Sequence, residues 1–300
     1  MKVFLTGATG FVGSVVAEKL LGKGHEVSSL ARNEASEAKL IEKGITAFGG
    51  DLTDAELLKR GASEVDAVIH TAFSHDFPDY NDAVKLDRAV IAAFAGALAQ
   101  TNKPFIVTSS SAILGDTGGS KADEDFPFNR NSLRLLRGEA ERDVLQLSQK
   151  GIRAVVLRLP LFGYGRGGSS FVPFMIEQAK NAGAANYIES GAEKVSAVHV
   201  EDAADLYVLA LETSTAKGLY NVAAETVSLK DLNEAIARLL EIEAKSISRE
   251  EARKQFGAMF DFLSINNQLS ADKARRELVW KPSAATILDD IENGSYRNKK

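Results

Sequence analysis

The feature that most constrains this chain lies in its first thirteen residues, where glycines recur at every third position. The apolar run Lys2–Thr6 predicts a strand, and the stretch Phe11–Leu21 predicts an amphipathic helix. A loop of spacing G-x-x-G-x-x-G between them turns sharply and lets backbone N–H groups approach a pyrophosphate. The helix N-terminus adds the positive end of its dipole. We therefore predict a dinucleotide site made of Gly7, Thr9, Gly10, Phe11, Val12 and Gly13.

The first half of the chain alternates short β-branched runs with longer helical stretches, which predicts an α/β fold with a doubly wound parallel sheet. We expect residues 1–162 with 195–224 to form a dinucleotide-binding domain. Residues 163–194 with 225–293 are then a smaller substrate-side region, and residues 294–300 a polar, solvated tail. Among the later predicted strands, Val195–Val200 and Gly218–Val222 rejoin or flank the sheet.

Composition narrows the classes of function. The formal charge of −5 argues against nucleic acid as the main partner, because neutralising a phosphate backbone needs clustered excess cations. The absence of cysteine excludes disulfides, thiolate nucleophiles and cysteine–metal sites, and the four histidines are not spaced like metal ligands. The longest apolar run, Ala89–Ala99, is shorter than the about 20 residues that a membrane-spanning helix needs. With no signal-peptide pattern, we expect a cytoplasmic protein without a membrane partner.

Several segments resemble the extended short-chain dehydrogenase/reductase family, and in particular its NAD-dependent epimerase/dehydratase branch. In chain order they are the glycine loop, Gly50-Asp51-Leu52, Asp66–Ala72, Leu157–Gly163 and Ala197–Ala204. The resemblance implies a Rossmann fold that binds NAD(P), with a small C-terminal substrate-binding region. It implies that Asp51 and Leu52 contact the adenine. The other implied cofactor contacts are Thr71, Ala72, Phe73, Ser109, Arg137, Pro160 and Phe162.

The end of the second predicted strand decides which cofactor is preferred. An acidic residue there accepts hydrogen bonds from the ribose 2′-hydroxyl of NAD, whereas a cation accommodates the 2′-phosphate of NADP. This chain carries Leu30-Ala31-Arg32-Asn33 at that place. A guanidinium grips phosphate through two charge-assisted hydrogen bonds, so we favour NADP(H) over NAD(H). The alternative is that Arg32 is a solvated surface cation.

The proton-transferring pair of the family is absent. Its members carry Tyr-x-x-x-Lys on the helix after the fifth strand, but Leu133 and Arg137 occupy the corresponding positions here. Leucine cannot transfer a proton, and arginine stays charged although it can bond ribose hydroxyls. Tyr296 stands four residues before Lys300, but we set this pair aside because it lies in the predicted tail. The chain thus resembles the atypical members of the family, which keep the glycine loop and lack the pair.

Other polar residues are candidates for the missing chemistry. Ser110, with Ser111 as the alternative, corresponds to the family's substrate-binding serine and can polarise a carbonyl, or it can simply cap nearby backbone. His75 and Tyr164 are candidate proton donors, although a structural role is the simpler interpretation of each. The remaining histidines are expected to be packed (His70), structural (His199) and on the surface (His25).

These features favour an NADP(H)-dependent oxidoreductase that acts on a small apolar carbonyl, enone or quinone-like compound. A nucleotide-binding sensor without turnover is the alternative, and a sugar-nucleotide epimerase is third because epimerisation relies on the missing tyrosine. The apolar residues that either line the substrate pocket or form ordinary core are Phe162, Phe171, Phe174 and Met175. The resemblance also implies a possible homodimer, because members of the family often pair through the two helices predicted here over Asp82–Thr101 and Leu133–Lys150. Packing of the first helix against the chain's own core explains its apolar circumference nearly as well.

Overall fold

The computed structural model describes residues 1–73, 80–128, 135–168 and 170–297. Within these ranges the strands are β1 (Lys2–Thr6), β2 (Glu26–Ala31), β3 (Thr46–Gly49), β4 (Ala67–His70), β5 (Pro104–Ser110), β6 (Arg153–Leu159), β7 (Phe162–Tyr164), β8 (Ala184–Ile188), β9 (Lys194–His199), β10 (Gly218–Asn221), β11 (Glu225–Ser228) and β12 (Glu243–Ile247). The helices are α1 (Phe11–Gly22), α2 (Glu34–Glu42), α3 (Ala55–Ser63), α4 (Tyr80–Leu98), α5 (Leu135–Gln146), α6 (Phe171–Ala182), α7 (Val200–Glu212), α8 (Leu229–Leu240), α9 (Arg249–Phe256), α10 (Phe260–Leu263), α11 (Asp272–Glu277) and α12 (Ile287–Asn293). In the described ranges, no helix combines the length and the apolar character needed to cross a membrane.

The predicted doubly wound parallel sheet is confirmed. Seven strands lie in the order β10-β6-β5-β4-β1-β2-β3, and each neighbouring pair runs parallel. The order reverses between β1 and β4, which is the point where ligands bind in sheets of this type, outside the carboxyl ends of the strands. Thr6 pairs with His70, so the glycine loop after β1 lies beside the chain that follows β4.

A second, smaller set of strands lies outside the main sheet. β7, β9 and β11 form a three-stranded sheet, while β8 and β12 pair with each other. Of the two strands expected to rejoin or flank the main sheet, β10 joins it beside β6, whereas β9 instead lies between β7 and β11. Buried side chains of α6, α8 and these strands form a hydrophobic core separate from the cores that cover the main sheet.

The chain beyond α12 differs from the expected solvated tail. Tyr296 is fully buried, and its hydroxyl contacts the backbone of the segment that follows β7. The composition of the last residues is polar, but a tyrosine can bury its ring and still satisfy its hydroxyl with a backbone group. The prediction of a solvated tail is therefore wrong for Tyr296, and residues 298–300 lie outside the described ranges.

One buried ion pair ties α5 to the main sheet. Arg158 of β6 donates from Nε and Nη2 to the two carboxylate oxygens of Glu141, at 3.1 and 2.5 Å. Its Nη1 donates to Oδ1 of Asn221 at 3.3 Å, and all three residues are buried. This pair fixes α5, which carries Arg137, at a set distance from β6.

We predict that Arg158→Met lowers the free energy of unfolding by about 3–5 kcal/mol, because it leaves the Glu141 carboxylate buried and unpaired. Urea denaturation followed by the fluorescence of Trp280, the single tryptophan and a buried one, measures the change. The double variant Arg158→Met/Glu141→Leu should recover much of the loss. A double variant no more stable than the single one would contradict this account of the pair.

Candidate functional site

The glycine loop folds in a way that only glycine permits at two positions. Gly7 has φ of +82°, and a Cβ there would lie 2.8 Å from the backbone nitrogen of Ala72 and from Oγ1 of Thr71. A Cβ on Gly13 would lie 2.1 Å from the carbonyl oxygen of Gly7. Thr71 also donates from its hydroxyl to the carbonyl oxygen of Thr6 at 2.7 Å. The start of α1, the end of β1 and the Thr71-Ala72 turn are thus in direct backbone contact.

The N-terminus of α1 is left open to an anion. Its N-cap is Gly10, no side chain caps it, and its first turn holds no acidic residue. By contrast, the N-terminus of α2 is capped by Asn33 and carries two glutamates. The first amides of any helix lack partners within the helix, and the dipole favours negative charge there. The residues of this loop therefore fit the pyrophosphate of a dinucleotide.

The residues expected at the adenine end lie close together. Arg32 directly follows β2 and is exposed. Asp51 accepts hydrogen bonds from the amide and the hydroxyl of Thr53, at 2.7 and 2.5 Å. These bonds lower the pKa of Asp51, and the charge of Arg32 lowers it further. A cation and a carboxylate thus stand side by side, with half-buried Leu52 next to Asp51.

A buried polar network runs beneath the site and contains Arg137. Nδ1 of His70 lies 2.6 Å from the hydroxyl of Thr6, and its Nε2 lies 3.1 Å from Oδ1 of Asp87 on α4. The other carboxylate oxygen of Asp87 accepts a hydrogen bond from Nη1 of Arg137. Nη2 of Arg137 donates to the carbonyl oxygen of Thr108 at 2.6 Å. The network links both central strands to α4 and α5, which confirms that His70 is packed.

The charges in this network compensate each other. Burial alone would raise the pKa of Asp87, but the Arg137 guanidinium and the hydrogen bond from His70 outweigh burial and hold that pKa below its ordinary value. The guanidinium carbon of Arg137 also lies 4.9 Å from the centre of the Phe73 ring. Arg137 is therefore a fixed cation that touches the turn after β4, and it supplies charge and hydrogen bonds rather than a mobile proton.

The three serines at the end of β5 have different environments. Ser111 is fully buried and donates to Oδ1 of Asn267 at 2.5 Å, so its hydroxyl is committed to the protein. The hydroxyl of Ser109 is buried and has no hydrogen-bond partner among the described residues. Ser110 is half-buried, and its oxygen accepts from the amide of Ala112 at 3.2 Å. Among the three, Ser110 best combines access with a hydroxyl proton that it can still donate.

The structure does not favour Tyr164 as a proton donor. Its hydroxyl donates toward Oε1 of Glu225 at 2.7 Å and toward the carbonyl oxygen of Ala285 at 2.8 Å. Burial, together with the hydrogen bond and charge of Glu225, raises the pKa of Tyr164 far above its ordinary value. We therefore set Tyr164 aside as a structural hydroxyl. The other candidate, His75, and Leu133 lie outside the described residues.

Two further histidines have structural contacts. His199 caps α7, because its Nδ1 accepts from the amide of Glu201 at 3.2 Å, and this confirms its expected structural role. His25 was expected on the surface, but its side chain is only 8% exposed and its Nε2 lies 3.1 Å from Oε1 of Glu212. Packing between the turn after α1 and the end of α7 covers this imidazole.

The apolar residues after β6 form core more than pocket. Phe162 is fully buried, with its ring 4.8 Å from that of Phe171, and Met175 is also buried. Phe171 and Phe174 are half-buried and remain available to a ligand at their exposed edges. Pro160 is buried beside the end of β6.

Sequence reasoning missed Asp87, although a signal was present. Asp87 is a carboxylate on the apolar face of α4, where its neighbours one turn away include Val84, Val90 and Ile91. A charge on a buried face requires a partner, and Arg137 on the next predicted helix was one candidate. No comparable local signal marks Asn267, which reaches Ser111 across 156 residues of sequence.

Comparison with known proteins gives the class of this protein. The model of the NAD dependent epimerase/dehydratase family matches residues 3–223, and the chain belongs to this family. It is 41% identical to an uncharacterized protein of Schizosaccharomyces pombe, over 99% of this chain and 100% of that one. It is 26% identical to the 2-alkyl-3-oxoalkanoate reductase of Stenotrophomonas maltophilia, over 71% of this chain and 66% of the relative.

Solved structures support the same fold. The dTDP-glucose 4,6-dehydratase DesIV of Streptomyces venezuelae, which was crystallised with NAD bound, superposes with a TM-score of 0.79. The match covers 100% of this chain and 97% of that one, at 19% sequence identity. At this identity the likeness concerns the fold alone.

We predict that Asp87→Asn lowers the free energy of unfolding at pH 7 by about 3–5 kcal/mol, because it leaves Arg137 buried without a counter-charge. The lowered pKa of Asp87 stabilises the wild type at pH values above about 3.9, the unfolded value, and this contribution is lost as the pH falls through the folded pKa. The difference between the two proteins should therefore shrink in acid. Urea denaturation from pH 7 to pH 3 measures it.

The matched control is Asp82→Asn, since Asp82 is an exposed carboxylate on the same helix, paired with Lys85. It should change the free energy of unfolding by less than about 0.5 kcal/mol at any pH. A pH-independent deficit in Asp87→Asn would show that the carboxylate charge is not what the network needs.

Proposed function

We propose that this protein is an NADP(H)-dependent oxidoreductase that reduces a small, largely apolar carbonyl, enone or quinone-like compound. The observation that carries the proposal is the open N-terminus of α1, which the Gly7–Gly13 contact places at the reversal point of the sheet. Two further features support it, namely the fixed cation Arg137 and the accessible hydroxyl of Ser110 next to this point. The likeness to a reductase of 3-oxoalkanoates agrees with a carbonyl substrate.

Different residues of the chain bind different parts of the dinucleotide. The first amides of α1 hold the pyrophosphate, while Arg32 meets the 2′-phosphate of NADP and Asp51 meets the adenine end. Arg137 offers its guanidinium to the nicotinamide ribose without leaving Asp87. When bound, the cofactor supplies hydride chemistry, which is its own rather than the protein's.

The Ser110 hydroxyl accounts for the activation of the substrate. Its oxygen already accepts from the amide of Ala112, which orients the hydroxyl and leaves its proton free for a carbonyl oxygen. A donor aimed at an oxygen where negative charge develops stabilises the transition state. Leu133 stands where relatives carry a tyrosine, and Arg137 keeps its charge, so the product must take its final proton from water or from another residue. A conjugated acceptor tolerates this best, because it spreads the negative charge.

A nucleotide-binding sensor without turnover is the second candidate. It is favoured by the environment of the Tyr207 hydroxyl, which lies 2.6 Å from Oγ1 of Thr108 at the end of β5 and is fully buried. Burial raises the pKa of Tyr207, so this hydroxyl does not release a proton readily. Sugar-nucleotide epimerisation ranks third, since proton removal in that reaction relies on the tyrosine that Leu133 replaces.

The first test is fluorescence titration with NADPH and NADH. We predict selective binding of NADPH, and a loss of at least about tenfold in NADPH affinity for Arg32→Ala with little change for NADH, since a bidentate phosphate contact is worth more than about 1.4 kcal/mol. Lys39→Ala, which removes an exposed cation from the nearby α2, is the matched control and should leave both affinities unchanged.

Turnover then separates the two candidate functions. Oxidation of NADPH by any member of a panel of enones, quinones and aldehydes supports the reductase, and Ser110→Ala should lower kcat by about tenfold or more while leaving the Kd of NADPH unchanged. Tight binding without oxidation across the panel supports the sensor. Failure to bind either nucleotide would overturn both.

We also propose that the protein forms a homodimer through α4 and α5. The outward face of α4 carries exposed small residues at helical spacing, namely Ala89, Ala92 and Gly96, and a Cβ on Gly96 would meet no atom within 4 Å. We predict that Ala92→Arg, on this face, halves the mass measured by light scattering, because a long charged side chain prevents close helix approach. Ala55→Arg, at an exposed position of α3, is the control and should leave the mass unchanged.

A further inference from the structure

The last described residues bind a loop that lies against the cofactor site. The hydroxyl of Tyr296 accepts from the amide of Gly165 at 3.1 Å and donates to the carbonyl oxygen of Gly168 at 2.8 Å. Oγ of Ser295 accepts from the amide of Gly167 at 2.8 Å. We call Ser295 and Tyr296 the C-terminal clasp, and residues Gly165 to Gly168 the glycine-rich flap.

The clasp itself is held rigidly. The Ser295 hydroxyl donates to Oδ2 of Asp290 at 2.8 Å, and its amide donates to Oδ1 of the same carboxylate at 2.8 Å. Asp290 is buried in α12, and the Tyr296 side chain is fully buried in the substrate-side core. The clasp is therefore an anchored part of the fold rather than a loose end.

The glycine-rich flap packs directly on the dinucleotide loop. A Cβ on Gly168 would lie 2.7 Å from the ring of Phe11, the first residue of α1, so the flap backbone rests on that ring. On the other side, a Cβ on Gly165 would lie 2.4 Å from Nε2 of His199, which caps α7. The flap thus lies against the first residue of α1, beside the amides that we assign to the pyrophosphate.

Apart from the clasp, the side-chain hydrogen bonds that reach the flap from the described residues are those of Arg166. Three of its four residues are glycines, and φ is positive at Gly165, Arg166 and Gly167, so its conformation is costly in backbone entropy. Arg166 bonds Glu18 and Glu201, at 2.7 Å each, but these are solvent-exposed pairs of long side chains and stabilise weakly. The hydrogen bonds from the clasp, of which the one to the Gly165 amide is buried, are the stronger restraint, because they pair backbone groups that are removed from solvent in whole or in part.

We propose that Ser295 and Tyr296 are positioning residues of the cofactor site, which hold the glycine-rich flap over the first turn of α1 and thereby slow release of the bound dinucleotide. The proposal rests on the proposed function, since it assumes that a dinucleotide binds at α1. It assigns a role in binding to the C-terminal segment, which lies far in sequence from the glycine loop and outside the matched family region of residues 3–223.

The test compares Tyr296→Phe and the double variant Ser295→Ala/Tyr296→Phe with the wild type. Tyr296→Phe removes both flap hydrogen bonds of the hydroxyl but keeps the buried ring. We expect the dissociation rate of NADPH, measured by stopped-flow displacement, to rise about three- to tenfold in the single variant and further in the double variant. The matched control is Tyr220→Phe. The Tyr220 hydroxyl, in β10, likewise accepts from a backbone amide, that of Lys217, and donates to a side chain, that of Glu277 in α11. This variant should leave the dissociation rate unchanged.

Two measurements exclude a purely structural explanation. Thermal unfolding should show similar Tm losses for Tyr296→Phe and Tyr220→Phe, although only the first releases NADPH faster. Hydrogen exchange without nucleotide should show faster exchange of the Gly165 amide in Tyr296→Phe, because that amide loses its acceptor. If NADPH dissociates at the same rate from Tyr296→Phe as from the wild type, the proposal that the clasp slows release is wrong, while the proposed function still stands. A wild type that binds neither nucleotide would overturn the proposed function, and the role of the clasp in binding with it.

Discussion

The site depends on one buried carboxylate, that of Asp87. Among the residues that the structure describes, it is the single anion that meets both His70 and Arg137, and through them it connects β1, β4, α4 and α5. Without it, the guanidinium would be an uncompensated charge beneath the turn after β4. An ion pair in this position is weak as a source of net stability, because desolvation offsets most of the attraction. The ion pair instead fixes the position of the Arg137 guanidinium, which is held by the Asp87 carboxylate on α4 and by the Thr108 carbonyl oxygen on β5.

Arg137 occupies the position of the lysine in the Tyr-x-x-x-Lys pair, and an arginine there differs from a lysine in its chemistry. A lysine four residues after a tyrosine lowers the tyrosine pKa by its charge and carries protons through a flexible stem. Arg137 has no tyrosine before it, because Leu133 stands there, and its own charge is spent on Asp87 and on the Thr108 carbonyl. In the structure this position therefore ties α5 to α4 and β5, and binding of a nicotinamide ribose by Arg137 belongs to the proposed function.

Much of the fold could be predicted from the sequence because its signals are local. Gly7, Gly10 and Gly13 predict a strand–turn–helix because they stand between an apolar run and an amphipathic stretch, and the alternation of elements predicts the parallel sheet. The sheet that β9 joins could not be predicted. Its partners β7 and β11 precede and follow it in the chain, and the sequence of a short strand does not specify which strands it pairs with.

The candidate site was harder to predict because the hydrogen-bond partner of a tyrosine hydroxyl depends on which distant segments the fold brings next to it. Tyr164 and Tyr296 are both tyrosines near glycines, and sequence reasoning promoted the first and dismissed the second. In the structure, Glu225 and the carbonyl of Ala285 occupy the hydroxyl of Tyr164, whereas Tyr296 reaches the flap from about 130 residues away, a separation at which sequence gives no pairing signal. The glycines that drew attention to Tyr164 are better explained by close contacts, since a side chain at Gly165 would strike His199 and one at Gly168 would strike Phe11. A glycine-rich segment beside a cofactor loop therefore says less about the chemistry of its own tyrosine than about what must come close to it.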